Sequence, residues 1–165
     1  MKIRQRLGFT LAAAAIVVLA FASVAAAVVI HEGKGPGLAR LGQIDTVEAR
    51  FLGTHTALQR DPNYGSRVVY WMSFGTRMGD GRYPCEMLSN SKHQVFQFSF
   101  NSSAYTTAKG VRVGSSELKL KAAYVGMTRI HTPKFNHYIW GKRPFTDFWV
   151  LNTTQRVFQI IVRSK

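Results

Sequence analysis

Asn90-Ser91-Lys92-His93-Gln94-Val95-Phe96-Gln97-Phe98 and Asn152-Thr153-Thr154-Gln155-Arg156-Val157-Phe158-Gln159-Ile160 share Asn, Val, Phe and Gln at equivalent places, 62 residues apart. Each follows an apolar pair, Met87-Leu88 or Trp149-Val150, so each reads as a strand, a polar turn and a second strand. The correspondence continues upstream. Val47 to Gly53 lines up with Leu120 to Gly126 at an offset of 73, and Tyr70-Trp71 stands opposite Ile139-Trp140 at 69. Offsets that shrink in one order are what a duplication leaves when its second copy has shorter loops. The expected repeats are about 38–103 and 104–165.

Each copy is expected to open with a helix. In the first, Asp45-Thr46-Val47-Glu48 offers a capping Asp with Glu three residues on, and Gly53 supplies the stop. In the second, Ser115 or Ser116 caps, Glu117 suits the positive first turn, and Leu118, Ala122 and Val125 share one face. Strands follow at Arg67 to Phe74, Met87 to Ser89 and Gln94 to Phe100, then at Tyr138 to Trp140, Asp147 to Leu151 and Arg156 to Arg163. The fold class is therefore α+β: two tandem αβββ units forming an antiparallel sheet with helices on one face. Val68 to Met72 and Phe148 to Leu151 are apolar on both faces, so something beyond the helices must cover or use the second one.

A chain of 165 residues allows one domain or two small ones and excludes a large multidomain enzyme. The 22 Lys and Arg against 8 Asp and Glu leave a formal charge of +14, a surplus that suits an anionic partner without choosing among them. Three of the positive charges, Lys2, Arg4 and Arg6, precede an uncharged run from Leu7 to Ile30, and Ala25-x-Ala27 offers a cleavage site. Residues 1–27 read as a signal peptide or membrane anchor. Cleavage gives a periplasmic or secreted product; retention gives an inner-membrane anchor with the domain outside the cytoplasm. Residues 28–37, rich in Gly, read as a linker, with folded structure beginning near Leu38. Cys85 is the one cysteine, which removes an internal disulfide and reads as a partly buried strand residue.

Val111-Arg112-Val113-Gly114-Ser115-Ser116, then a helix from Leu118 to Tyr124 and three strands, resembles the SmpA/OmlA type of small bacterial envelope domain, and the tandem arrangement resembles the β-lactamase-inhibitor-protein-like fold. The chain lacks the lipobox of the first and the disulfide pattern of the second. The resemblance implies an exported domain that binds another macromolecule, with no catalytic residues to carry over.

Five histidines (31, 55, 93, 131 and 137) show no metal-ligand spacing, and the eight carboxylates leave few pairs for hydrolysis, so no catalytic, cofactor or metal residue is assigned. The candidate partner-binding residues are the strand aromatics Tyr70, Trp71, Trp140, Phe148 and Trp149, since an open sheet face lined with Trp and Tyr makes a platform. The expected function is an exported, non-enzymatic envelope protein, of inhibitor or assembly-factor type, that binds a macromolecular partner through that face. The partner is an envelope protein or an anionic membrane or polymer, with no small-molecule cofactor. The alternative is a small basic exported nuclease or another enzyme acting on an anionic polymer, drawing on Glu86, His93 and His137.

Overall fold

The computed structural model describes residues 27–64 and 67–164, so the N-terminal segment, apart from Ala27, lies outside the described residues. Eleven strands and two helices are present among them: β1 Val28–His31, β2 Gly35–Pro36, α1 Asp45–Glu48, β3 Gln59–Tyr64, β4 Arg67–Phe74, β5 Cys85–Asn90, β6 Val95–Phe100, β7 Tyr105–Thr107, α2 Glu117–Ala123, β8 Thr128–His131, β9 Phe135–Trp140, β10 Phe145–Leu151 and β11 Arg156–Arg163. A 3₁₀ turn, Ala49–Phe51, extends α1. Eight strands form one sheet in the order β3-β4-β5-β6-β11-β10-β9-β8. Every neighbour pair in it is antiparallel, including β6 with β11, where the two four-stranded halves meet.

Strand alternation sends Met72, Phe74, Met87, Phe98, Phe100, Phe148, Ile160 and Val162 to one face, and all are buried. Ala49, Leu120 and Tyr124 from the helical segments pack on that face, together with Ile30 and Tyr105 from the small β2-β1-β7 sheet. The fold is α+β, with a large antiparallel sheet and two short helices.

Four features differ from the sequence expectation. Residues 28–37 are not a linker: Val28 to Ile30 pair in parallel with Tyr105 to Thr107, and Ile30 is wholly buried. The β-branched Val28-Val29-Ile30 outweighs the glycines that follow, which shape the tight return into β2. Gly35 carries the tightest constraint, with φ +144 and an imagined Cβ 2.4 Å from the Ala39 carbonyl oxygen and 2.8 Å from the Phe98 ring.

Each half of the large sheet has four strands, not three. The added ones, β3 and β8, are the edge strands; Gln59-Arg60-Asp61-Pro62 and Thr128-Arg129-Ile130-His131, exposed at every position, carry polar sequence that reads as loop.

The helices bury different faces from those expected. Asp45 is not a cap. Ile44 occupies that position, and the fully buried Asp45 carboxylate accepts from Ser89 Oγ at 2.5 Å and pairs with His93 Nδ1 at 3.0 Å. In α2, Ser116 does cap, accepting from the Lys119 amide at 3.2 Å, but Leu118 and Val125 face solvent while Glu117, Leu120 and Tyr124 face the core. Two turns of helix are too short for periodicity alone to choose the buried face; Leu120 and Tyr124 join the core cluster, and Glu117 meets Lys121 and Tyr138 beside it.

The offsets of 73 and 69 are also displaced. The Gly42 amide donates to the Val95 carbonyl (2.7 Å) and the Asp45 amide to that of His93 (2.9 Å); Gly114 donates to Val157 (2.8 Å) and Glu117 to Gln155 (2.8 Å). The helix starts are thus related by 72. His93 and Gln155, the two non-glycine residues with positive φ among the described residues, keep the offset of 62. Trp71 lies opposite Leu88, His137 lies opposite Trp149, and Trp140 lies opposite Thr146.

Glu117 gives the fold a pH dependence. Burial raises its pKa, but the Lys121 ammonium at 2.7 Å and the Tyr138 hydroxyl outweigh it and hold the carboxyl below its ordinary value. A carboxyl depressed in the folded state adds stability that is complete above the unfolded pKa of about 4.3 and is lost as pH falls through the folded pKa. Urea midpoints measured from about pH 6 down to about pH 3 are expected to fall less steeply in Glu117→Gln than in the parent chain.

Candidate functional site

The second face of the large sheet carries two kinds of residue in cross-strand rows. One row runs Trp71, Leu88, Gln97, Arg163 across β4, β5, β6 and β11. The next runs Ser73, Glu86, Ser99, Ile161, Asp147 and reaches β10. A third pairs Gln159 with Trp149 and Trp149 with His137 on β9. Most of these side chains line a groove of about 310 Å³, with Trp71 toward one end and Trp149 toward the other.

Both indoles are held. Trp71 Nε1 donates to Gln59 Oε1, and Trp149 Nε1 donates to Asp147 Oδ2 at 3.0 Å. With their single donors spent on neighbours, the two side chains offer the groove ring surface alone. Trp149 also packs against His137 at a centroid distance of 4.2 Å and against Phe135 at 5.4 Å.

Asp147 organises this end. Fully buried, it takes Arg163 Nη2 at 3.1 Å on the same Oδ2 that holds Trp149, and His137 Nδ1 lies 3.7 Å away. Burial pushes its pKa up, opposed by the Trp149 donor, Arg163 and His137. Asp147 Oδ1 and Arg163 Nε are buried with no hydrogen-bond partner, so this corner of the sheet has polar capacity in reserve. Glu86, half-buried in the floor, is likewise raised by burial, opposed by the Asn101 amide and by Arg82.

The floor is otherwise neutral. Gln97 Nε2 donates to Ser99 Oγ at 3.0 Å and Gln159 Nε2 donates to Asn101 Oδ1 at 2.8 Å, which leaves the amide oxygens of both glutamines uncommitted among the described residues. Glu86 and Arg163 are the two charged residues that line the groove, so it carries almost none of the chain's basic surplus.

Of the five aromatic candidates, the structure brings Trp71 and Trp149 to this face and sends the other three elsewhere. Phe148 is wholly buried on the helix side, its ring 4.8 Å from that of Tyr124. Trp140 lies on that side too, edge-on to Tyr124 and under the Lys109 ammonium. Tyr70 stacks on His93 at 4.2 Å, beside Asp45. The residues named for the nuclease alternative are not convergent: His93 is tied to Asp45 in the β5–β6 turn, Glu86 is on β5, and His137 is on β9, four strands away in the sheet. No group of three metal-ligating side chains occurs among the described residues. Cys85 is wholly buried, and burial pushes its thiol well above the ordinary range, which leaves it unsuited to nucleophilic work.

Sequence reasoning missed Gln97 and Gln159, although both stand in the two stretches that match at an offset of 62.

No family model and no curated protein matches the chain. Among solved structures it is similar to the uncharacterized protein yfeY from Escherichia coli, with a TM-score of 0.59 and 14% identity over 82% of this chain and 99% of that one. That likeness concerns the fold alone. A cysteine-rich secretory protein from Staphylococcus aureus aligns with a TM-score of 0.43 and 8% identity, over 83% of this chain and 50% of that one.

Proposed function

We propose that this chain is an exported, non-enzymatic protein of the cell envelope that binds a macromolecular partner in the groove on the open face of its large sheet. The observation that carries the reading is the pair Trp71 and Trp149, presented on that face with their indole N–H groups already held. Fixed aromatic surface loses little side-chain entropy on binding and dominates interface energetics.

The two halves of the sheet are tandem units descended from a duplication. The matching amide bonds at Gly42 and Gly114, and the positive φ at His93 and Gln155, support this. A tandem plan with an open sheet face also supports kinship with the β-lactamase-inhibitor-protein-like fold. Export rests on the basic start and apolar run. No helix among the described residues is long and apolar enough to cross a membrane. Cleavage after Ala27 leaves β1 intact from Val28 onward.

Capture from envelope extract on the immobilised chain tests the reading. A partner is expected to be retained by the parent chain and lost when Trp71 and Trp149 are both replaced by Ala. Equal retention by both would refute it. Mass spectrometry of the exported chain is expected to find Val28 at its N-terminus.

A further inference from the structure

We propose that the ligand of this groove is an uncharged glycan chain several sugar units long. The inference rests on the groove being the binding site and names the chemistry it takes.

Length comes first. Trp71 on β4 and Trp149 on β10 are separated by four inter-strand steps, which at about 4.8 Å each is about 19 Å of sheet. One ring-sized ligand cannot touch both tryptophans, whereas an extended oligomer lying across the strands can. The groove is open to solvent rather than enclosed.

Charge comes second. A polyanion such as nucleic acid would be expected to lie against clustered Lys and Arg. Here the lining cation is Arg163, which Asp147 already neutralises, and Glu86 lies in the floor. Within a chain of formal charge +14, the residues that line the groove carry one cation and one carboxylate, which suits an uncharged partner.

Surface types alternate along the groove. Between the tryptophan faces lie the free amide oxygens of Gln97 and Gln159, with Ser73 and Glu86 beside them. A purely apolar occupant, such as an acyl chain, would strip water from these groups and leave them unpaired. A pyranose offers both kinds of contact: its C–H face lies flat on an aromatic ring, and its hydroxyls, or an N-acetyl N–H, donate to fixed carbonyl and carboxylate oxygens. Planar polar side chains flanked by held indoles match that pattern.

The test titrates the full chain, kept in a detergent without a sugar head group, with tetrasaccharides of β-1,4-linked glucose and of β-1,4-linked N-acetylglucosamine. A short RNA serves as the polyanion arm. Tryptophan fluorescence and calorimetry read the binding. At least one neutral tetrasaccharide is expected to bind, with little dependence on salt. Trp71→Ala and Trp149→Ala are each expected to weaken it about tenfold, the scale of losing one aromatic contact. Gln97→Ala is expected to weaken it several-fold, while Trp140→Phe on the helix face leaves it unchanged. Binding of neither tetrasaccharide at millimolar concentration, or binding that ignores both tryptophans, overturns the inference. If the tetrasaccharides fail while an envelope protein is still captured through Trp71 and Trp149, the glycan inference falls and the groove reading stands. If no ligand of any kind responds to the two tryptophans, both fall.

Discussion

Replacing Phe148 by Ala will lower the stability of the fold by about 3–5 kcal/mol, while Trp71→Ala will cost less than about 1.5 kcal/mol. Phe148 is wholly buried against Tyr124 at the centre of the core, and truncating it removes both its transfer free energy and the packing around the void. Trp71 remains 43% exposed and packs mainly at the groove rim. Small domains hold only about 5–15 kcal/mol in all, so the Phe148 variant loses a large share of its margin. Urea unfolding of both variants checks the difference. Equal losses would mean that the two faces of the sheet have been assigned wrongly.

The second large effect falls where composition reads as a flexible linker. Gly35→Ala is expected to cost about 2–6 kcal/mol, combining backbone strain with overpacking. The backbone at φ +144 is closed to other residues, and the new methyl would meet the Ala39 carbonyl and the Phe98 ring at distances that real contacts do not reach. A linker glycine would tolerate the change within about 0.5 kcal/mol. The same unfolding measurement therefore separates a folded β1–β2 return from a tether.

The sequence carried the central strands well and the periphery poorly. Arg67–Phe74 and Arg156–Arg163 are rich in β-branched and aromatic residues and buried on at least one face, so propensity and packing agree. The edge strands β3 and β8 are polar because solvent takes the other side of each, and no local signal distinguishes them from loop. The first strand was hidden by the glycines after it. Residues at that turn need φ values open to Gly, so the same composition serves a tight return and a flexible tether.

For the candidate site, the decisive rule was parity. Tyr70 with Trp71, and Phe148 with Trp149, are neighbours on a strand, so the members of each pair must point to opposite faces. At most one of each could line the groove. Choosing between them required knowing what covers the other face, and that depends on Ile30, Leu120 and Tyr124, which are far away in sequence. Gln97 and Gln159 carried a legible signal in the shared stretch, but a polar residue inside a strand reads as solvated surface until the groove around it is seen.

The most direct measurement of the central claim is photo-crosslinking in the living cell. A benzophenone amino acid is placed at Trp71 on the open face, or at Leu118, which is 79% exposed on the opposite side. Adducts are expected from position 71 and not from position 118. Adducts from Leu118 with none from Trp71 would contradict the assignment of the open sheet face as the recognition surface.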